Sequence, residues 1–378
     1  MPNEDAPAPA VPDYVPPPLP PPANISVRAR GALRRFLLPD WQQRKRMLRA
    51  EAWLVVLAAY PLLIFAYLWP QQWRNEAPGV VLAGWVAFLV RTLQFHLGLL
   101  LLVIALVAAF GHGRRLFVAA LAPVVFTTMP ALWQFRPKSA EPVVAGAPTL
   151  RVMTANLLMV NADTEGIIGE IRAAKPDVLL LQEYTAEWHA ALQAAIGAEY
   201  PHHAGVERDD SFGIGIYSRT PFAGEVDADF PLGRAGVEQM RAELDLGGGR
   251  RVALYNIHLL PPRTLLYTSD HRLQFADLLD ALRRERLPYV VCGDFNFSET
   301  TPQHADLRRA GVREAHELAG VGRGATWPVN SVFRYLMPGI RIDHVYLSPD
   351  LTATRCETGV GRGSDHRPVV VDVAFRKR

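Results

Sequence analysis

Between Leu150 and the C-terminus, apolar runs repeatedly finish in a residue able to bind a metal, hold a phosphate or move a proton. TANL carries Asn156, LLLQE ends in Glu183, and YNIHL contains His258. VVCGDFN supplies Asp294 and Asn296, RIDHVYLS supplies Asp343, and GSDHRP supplies Asp365 and His366. Each has an ordinary reading alone: Asn156 as a turn cap, Asp294–Asn296 as an Asx turn, a lone histidine as structural. Taken together, four carboxylates, two amides and two histidines at strand ends meet the requirements of metal-assisted phosphoryl hydrolysis. Oxygen ligands suit a hard octahedral ion such as Mg²⁺, with Mn²⁺ as the alternative. A carboxylate aligns or deprotonates the attacking water, and donor groups stabilise the charge that develops on the phosphoryl oxygens.

Such residues need elements that bring them to one edge. LRVMTANL and DVLLLQE read as strands flanking a helical TEGIIGEIRAAK, and Pro176 marks the end of that helix. GIGIYS, MRAELDL, RVALYNIHL, YVVCGDFN, HVYLS and PVVVDVAF read as further strands, and Thr268–Glu285 has helical periodicity. The expected fold class is α/β, one core of two packed sheets covered by helices. Cys292 fits a small buried hydrophobe rather than a nucleophile, and with Cys356 makes too few thiols for a disulfide framework. The adjacency of Ser364, Asp365 and His366 is poor geometry for a serine triad.

TANL, LLQE, NIHL, GDFN, RIDHVYLS and GSDHRP occur in the order seen in the endonuclease/exonuclease/phosphatase superfamily, which residues 149–378 resemble. The resemblance implies the deoxyribonuclease I-like two-sheet α/β sandwich. It also implies roles: Glu183 as principal metal ligand, Asn156 beside it, and Asp365 supporting the metal. Asp294 would position or deprotonate the nucleophilic water, with Asn296 holding water and phosphate. His366 would contact the scissile phosphate, its tautomer fixed by Asp343. His258 would be a second phosphate donor or leaving-group acid, and Arg241, in MRAELDL, would bind phosphate. Trp327, in ATWP, is a candidate for the substrate mouth, whereas Tyr217 reads as an ordinary strand residue.

The N-terminal part is built differently. Ten of the first 22 residues are proline, a composition that favours polyproline II and builds no core. Eight basic residues from Arg28 to Arg49 follow, opposed by Asp40 alone. Residues 1–50 therefore read as a largely disordered cytoplasmic tail. Stretches 52–70, 92–110 and 116–135 carry no charge over 19, 19 and 20 residues, each long enough to span a bilayer. Residues 51–135 thus read as a membrane region of about three transmembrane helices. The shorter 77–90 reads as an interfacial or re-entrant segment, a fourth span being the competing reading. Residues 136–148 form a Pro/Ala/Gly linker. Three spans, with Arg114 and Arg115 in an inner turn, place the C-terminal domain on the periplasmic or extracellular side.

Residues 1–150 carry 14 Lys+Arg against 7 Asp+Glu, a net +7; the whole chain is +3, leaving 3 − 7 = −4 for residues 151–378. That balance disfavours a broad duplex-gripping surface. The expected activity is a membrane-anchored, Mg²⁺-dependent phosphoric ester hydrolase acting on a diester or monoester, anchored in the lipid bilayer by its N-terminal helices. An extracytoplasmic nuclease is the alternative within chemistry. A non-catalytic receptor or scaffold is the alternative of another class, disfavoured because Glu183, Asp294 and His366 are all retained.

Overall fold

The computed structural model describes residues 41–111, 113–329 and 338–377. The proline-rich tail and the first basic residues, up to residue 40, lie outside the described residues. The described chain falls into two compact units that divide between Leu54 and Val55. Residues 41–50, expected to belong to the tail, are helical: they open α1, Trp41–Leu68. Arg44, Lys45, Arg46 and Arg49 are good helix formers, and no glycine or proline interrupts the run before Pro61.

Three further helices precede the sandwich: α2 (Pro78–Thr92), α3 (Gln94–Phe110) and α4 (Arg114–Trp133). By length and composition, α1 and α4 can each cross a membrane. α2 and α3 meet that test only as a pair, bent by 60° at Leu93, so up to three crossings are available. The second expected span, 92–110, is therefore broken at its start, and 77–90 is a helix of its own. Tyr60 Oη donates to the Ala119 carbonyl (2.6 Å) and the Tyr67 ring packs on Phe126 (4.9 Å), so α1 and α4 run parallel. α3 returns antiparallel beside α4, close-packed at Gly98, where a Cβ would lie 2.5 Å from Thr127 Oγ1.

The remainder is two sheets with helices outside them. The first has the order β10-β11-β1-β2-β4-β3, comprising β1 (Thr149–Asn156), β2 (Val178–Gln182), β3 (His202–Val206), β4 (Ile214–Ser218), β10 (Leu351–Thr358) and β11 (Val369–Phe375). The second has the order β5-β6-β7-β9-β8, comprising β5 (Met240–Asp245), β6 (Arg251–His258), β7 (Tyr289–Asp294), β8 (Arg313–Glu314) and β9 (Asp343–Leu347). Inward side chains of both sheets, including Val152, Leu180, Leu254, Val290 and Val371, form one core. The first sheet is covered on its outer face by α5 (Thr164–Ala174) and α6 (Ala186–Ile196), which bury Ile167, Ile171, Trp188 and Leu192. The second is covered by α7 (Leu265–Arg284), whose Phe275, Leu278 and Leu282 pack on Tyr255, Ile257 and Val291. The expected two-sheet α/β sandwich is the observed fold.

α2 does not stand apart from this sandwich. Its buried face is Val81, Gly84, Ala87 and Phe88, and Phe88 joins the same cluster as Phe275 and Leu278. Trp85 Nε1 donates to the Pro262 carbonyl (2.8 Å), and Trp73 Nε1, in the loop before α2, donates to Asp306 (2.9 Å). A 15-residue helix whose one charged residue is Arg91 in its last turn thus buries its apolar stripe on α7 rather than in lipid alone.

Candidate active site

The parallel pairs β1–β2 and β6–β7 each end together, aligning Asn156 with Gln182 and His258 with Asp294. Antiparallel β9 starts where β7 ends, so Asp343 stands opposite Asp294. Parallel registry therefore delivers the polar strand ends to one edge of both sheets. Gly293 permits the turn-out of β7: its φ is +140° and a Cβ there would lie 1.8 Å from the Ile257 carbonyl oxygen. Glu183 (φ +56°) and Asn296 (φ +51°) follow the ends of β2 and β7 in left-handed backbone, a conformation costing about 1–3 kcal/mol. Both unfavourable positions lie in the cleft.

The side chains make a continuous network. Asn156 Nδ2 donates to Glu183 Oε1 (3.0 Å) and to Asp294 Oδ2 (3.3 Å), while the Met159 amide donates to Glu183 Oε2 (2.9 Å). Nε2 of both histidines faces the same Asp294 Oδ2, at 3.6 Å for His258 and 3.8 Å for His366. His366 Nδ1 lies 2.8 Å from Asp343 Oδ2. Asn296 Nδ2 donates to the Leu259 carbonyl (2.8 Å), and its backbone N–H donates to Asp294 Oδ1 (2.9 Å). Trp327 Nε1 donates to Asp365 Oδ2 (3.0 Å), whose other oxygen lies 4.0 Å from His366 Nε2. Asp294, Asp343 and His366 together form a buried group compact enough to hold a metal ion, a different set from the Glu183, Asn156 and Asp365 expected from sequence. Among the described residues, Asp343 Oδ1, Asp365 Oδ1 and His258 Nδ1 are buried without a hydrogen-bond partner.

Burial and mutual charge separate the titrations. Burial pushes the Asp294 carboxyl up, with the Asp343 carboxylate adding to it and His366 opposing, to about 7. Burial opposes charging His366, but the carboxylates of Asp343 and Asp294 outweigh it and raise the imidazole to about 10. Burial and then the positive charge of His366 lower His258 to about 3, so it is neutral at pH 7. One edge thus holds a carboxyl poised near neutrality, a cationic imidazole and a neutral imidazole.

These groups floor a cleft of about 630 Å³. Glu183, His258, Asp294, Asn296, Asp365 and His366 line it, and Trp327 does so as its loop position led one to expect. Arg241 does not. Strand alternation sends Met240, Ala242 and Leu244 into the core and turns Arg241 outward, where it pairs with Glu285 (2.8 Å) and Glu243 (2.9 Å) beside Tyr255. At the cleft end of that strand lies Gln239 instead, which accepts from the His258 amide (2.6 Å) and donates to its carbonyl (3.0 Å). Asn256 was also missed: it donates to the Leu181 and Gly215 carbonyls and accepts from Gln182, tying the two sheets behind the site. Its place in YNIHL, two residues before His258, was the available signal. Ser364 Oγ donates to the Asn156 carbonyl (2.8 Å) and accepts from the His366 amide (3.0 Å), a positioning contact and no triad.

The fold and this edge of carboxylates, amides and histidines define a phosphoester hydrolase of the deoxyribonuclease I-like type. The model of the Endonuclease/Exonuclease/phosphatase family matches residues 153–366, more than half of the chain, and the chain belongs to that family. Among solved structures, humanized D. rerio TDP2 is similar at 19% identity, covering 60% of this chain and 99% of that one, with a TM-score of 0.50. An endonuclease/exonuclease/phosphatase from Beutenbergia cavernae is similar at 22% identity over 60% and 72%, with a TM-score of 0.49. The 3′ phosphatase NExo from Neisseria, bound to product DNA hairpin, is similar at 19% identity over 60% and 100%, with a TM-score of 0.48. Among curated proteins none matches the chain.

Proposed function

We propose that this chain is a membrane-anchored, divalent-metal-dependent phosphodiesterase or phosphomonoesterase whose sandwich faces away from the cytoplasm. The observation that carries the metal is the pair of buried carboxylate oxygens, Asp343 Oδ1 and Asp365 Oδ1, left without hydrogen-bond partners among the described residues. An all-oxygen set around them suits Mg²⁺, or Mn²⁺, better than a thiophilic ion. Glu183, Asn156 and Asp365 would hold it, with Asp294 and Asp343 close by, and a bound ion would neutralise phosphate charge and help polarise the attacking water.

The chain's own groups divide the remaining work. Asp294, titrating near neutrality, takes a proton from the water that attacks phosphorus as the P–O bond to the leaving alcohol breaks, and the departing oxygen takes up a proton from solvent water. Asn296 and Asn156 fix that carboxylate. His366, cationic and oriented through Nδ1 by Asp343, donates from Nε2 to a phosphate oxygen. His258 is neutral and contributes a single N–H donor rather than an acid's proton. Net −4 over residues 151–378 weighs against nucleic acid as substrate.

The outward orientation follows from an odd number of crossings. α1 and α4 both run toward the sandwich with their basic ends, Arg44–Arg49 and Arg114–Arg115, at the starts of the helices. The positive-inside rule keeps those ends in the cytoplasm. The test is turnover of a chromogenic phosphodiester and monoester by the full chain in detergent. Hydrolysis that requires added Mg²⁺ or Mn²⁺ and disappears with chelator is expected; no turnover with either ion would refute the reading.

A further inference from the structure

The wall of the cleft facing the membrane helices is not made by the sandwich. It is made by α2: Phe88 and Thr92 line the same cavity as Asp294 and His366. Thr92 is the last residue of α2, and after the bend at Leu93 the chain enters α3, apolar over its whole length after His96 and exposing Leu100, Val103, Val107 and Phe110. The cleft is thus one residue from the start of an apolar crossing segment. Two reciprocal hydrogen bonds lock this wall to the loop after β7: Arg91 Nε donates to the Thr300 carbonyl (2.6 Å) and Thr300 Oγ1 to the Arg91 carbonyl (2.5 Å).

The sandwich also abuts the other helix ends directly. Arg323 stacks over Phe95 near the start of α3 (4.1 Å), and the Gly322 amide donates to the Gln134 carbonyl just past α4 (3.2 Å). Adjacent Val321 is 76% exposed. No spacer therefore lifts the cleft off the bilayer. Beside the polar Asp210 and Ser211, part of its rim is apolar where soluble substrates would meet water: Val160 (73% exposed) and Tyr267 line the mouth, and Leu266 (62% exposed) is the neighbour of Tyr267 in sequence at the start of α7. Exposed apolar residues scattered singly are common, but Val160 and Tyr267 share this one opening, with Leu266 next to Tyr267 in the chain. Arg263, at the same mouth, has no ion pair among the described residues and suits an anionic headgroup at an interface.

We propose that the substrate is the phosphate ester of a membrane lipid, admitted from the bilayer past α2, with its phosphate at Asp294 and His366 and its chain along Phe88 and the Val160–Leu266 rim. This rests on the hydrolase reading above and names the substrate class for the same site. A free nucleotide or nucleic acid stacks a base on an aromatic such as Tyr267 but leaves the aliphatic Val160 and Leu266 uncovered, whereas each apolar side chain covered by lipid favours capture.

The full chain, reconstituted in phosphatidylcholine vesicles containing phosphatidic acid or phosphatidylglycerol, tests this against their water-soluble dibutyryl forms, an oligonucleotide and a chromogenic phosphodiester. One of the vesicle lipids should exceed its short-chain form in kcat/KM by about tenfold or more, from burial of chain and rim. Leu266→Asp should lower turnover of that lipid by about tenfold while leaving the chromogenic diester unchanged, and Leu266→Phe should restore it. Equal rates on long and short chains, preference for the oligonucleotide, or equal loss on both substrates in L266D would overturn the proposal. Absence of turnover on every substrate, the chromogenic diester included, would refute the hydrolase reading and the proposal with it.

Discussion

Asp294 and Asp343 stand directly opposite one another, the last residue of β7 and the first of β9, and His366 reaches both, at 3.8 Å and 2.8 Å. Two carboxylates in register across a ladder repel, and burial removes the water that would screen them. His366 is the counter-charge that lets them share the cleft. The arrangement explains why the imidazole is raised, while burial, with the Asp343 carboxylate adding to it, pushes Asp294 up. One cation serves two anions, and the Asp343 carboxylate bears on the titration of both Asp294 and His366.

Asp343→Asn therefore acts through His366. Loss of the carboxylate removes the largest influence raising the imidazole, so the imidazolium deprotonates at lower pH. If His366 works as a cation, the alkaline limb of the pH–rate profile moves to lower pH and kcat falls by roughly 10²–10⁴ at neutral pH. An unmoved alkaline limb would show that the two residues do not function together.

Asp294→Asn removes the proton acceptor but keeps the shape and the hydrogen bond from the Asn296 amide. Turnover of a chromogenic phosphodiester is expected to fall by about 10²-fold or more while far-UV circular dichroism and melting temperature stay close to wild type. Near-normal turnover in a well-folded D294N preparation would remove this residue from the mechanism.

The strand ends were legible because apolar runs broken by Glu, Asp or His are rare in a buried sheet. Asn156, Glu183, His258, Asp294, Asn296, Asp365 and His366 all reach the same cleft. What failed to show was three-dimensional. Arg241 was placed by the sequence around it, whereas the parity of β5 aims it at Glu285. β3 gave no signal because an edge strand of alternating half-burial, HHAGV, has no apolar run. Asn256 and Gln182 meet across the sheets from positions 74 residues apart, a link that local pattern cannot contain. Residues 77–90 looked membranous because they are apolar all round, and nothing in their composition tells lipid from α7.

A buried ion cluster away from the cleft allows a stability test. Glu314 Oε1 lies 3.4 Å from Arg341 Nε and 3.2 Å from His344 Nδ1, with all three side chains almost fully buried. Burial opposes its ionisation, yet Arg341 and the His344 hydrogen bond hold the carboxyl well below the usual range. Glu314→Gln leaves Arg341 uncompensated and should cost about 3–5 kcal/mol at pH 7. A folded-state pKa below the unfolded one contributes stability that is present above the unfolded value, about 4.3 for glutamate, and is lost as pH falls toward the folded value. The gap between wild type and E314Q in thermal melts should accordingly be full at neutral pH and narrow in acid. A gap independent of pH would mean that the charge contributes nothing.

Topology is the last and most consequential expectation. Three crossings, α1, the bent α2–α3 pair and α4, require the start of α1 and the sandwich to lie on opposite sides. Arg44, Lys45, Arg46 and Arg49 at the first turns of α1, with Arg114 and Arg115 at the start of α4, outnumber by six to four the basic residues at the other helix ends, Arg74, Arg91, Arg136 and Lys138. At about 1 kcal/mol for each basic residue near an anionic surface, that excess favours retention of the basic ends in the cytoplasm. Alkaline phosphatase fused after Ala147 should be active there, and a cytoplasmic reporter at the same point should be silent. If the reporters exchange behaviour, the number of crossings is even, and α1 and α4 do not both cross in the parallel sense that the Tyr60–Ala119 and Tyr67–Phe126 contacts give them. The cleft would then open on the inner leaflet, with its apolar rim still at the bilayer but facing cytoplasmic lipids.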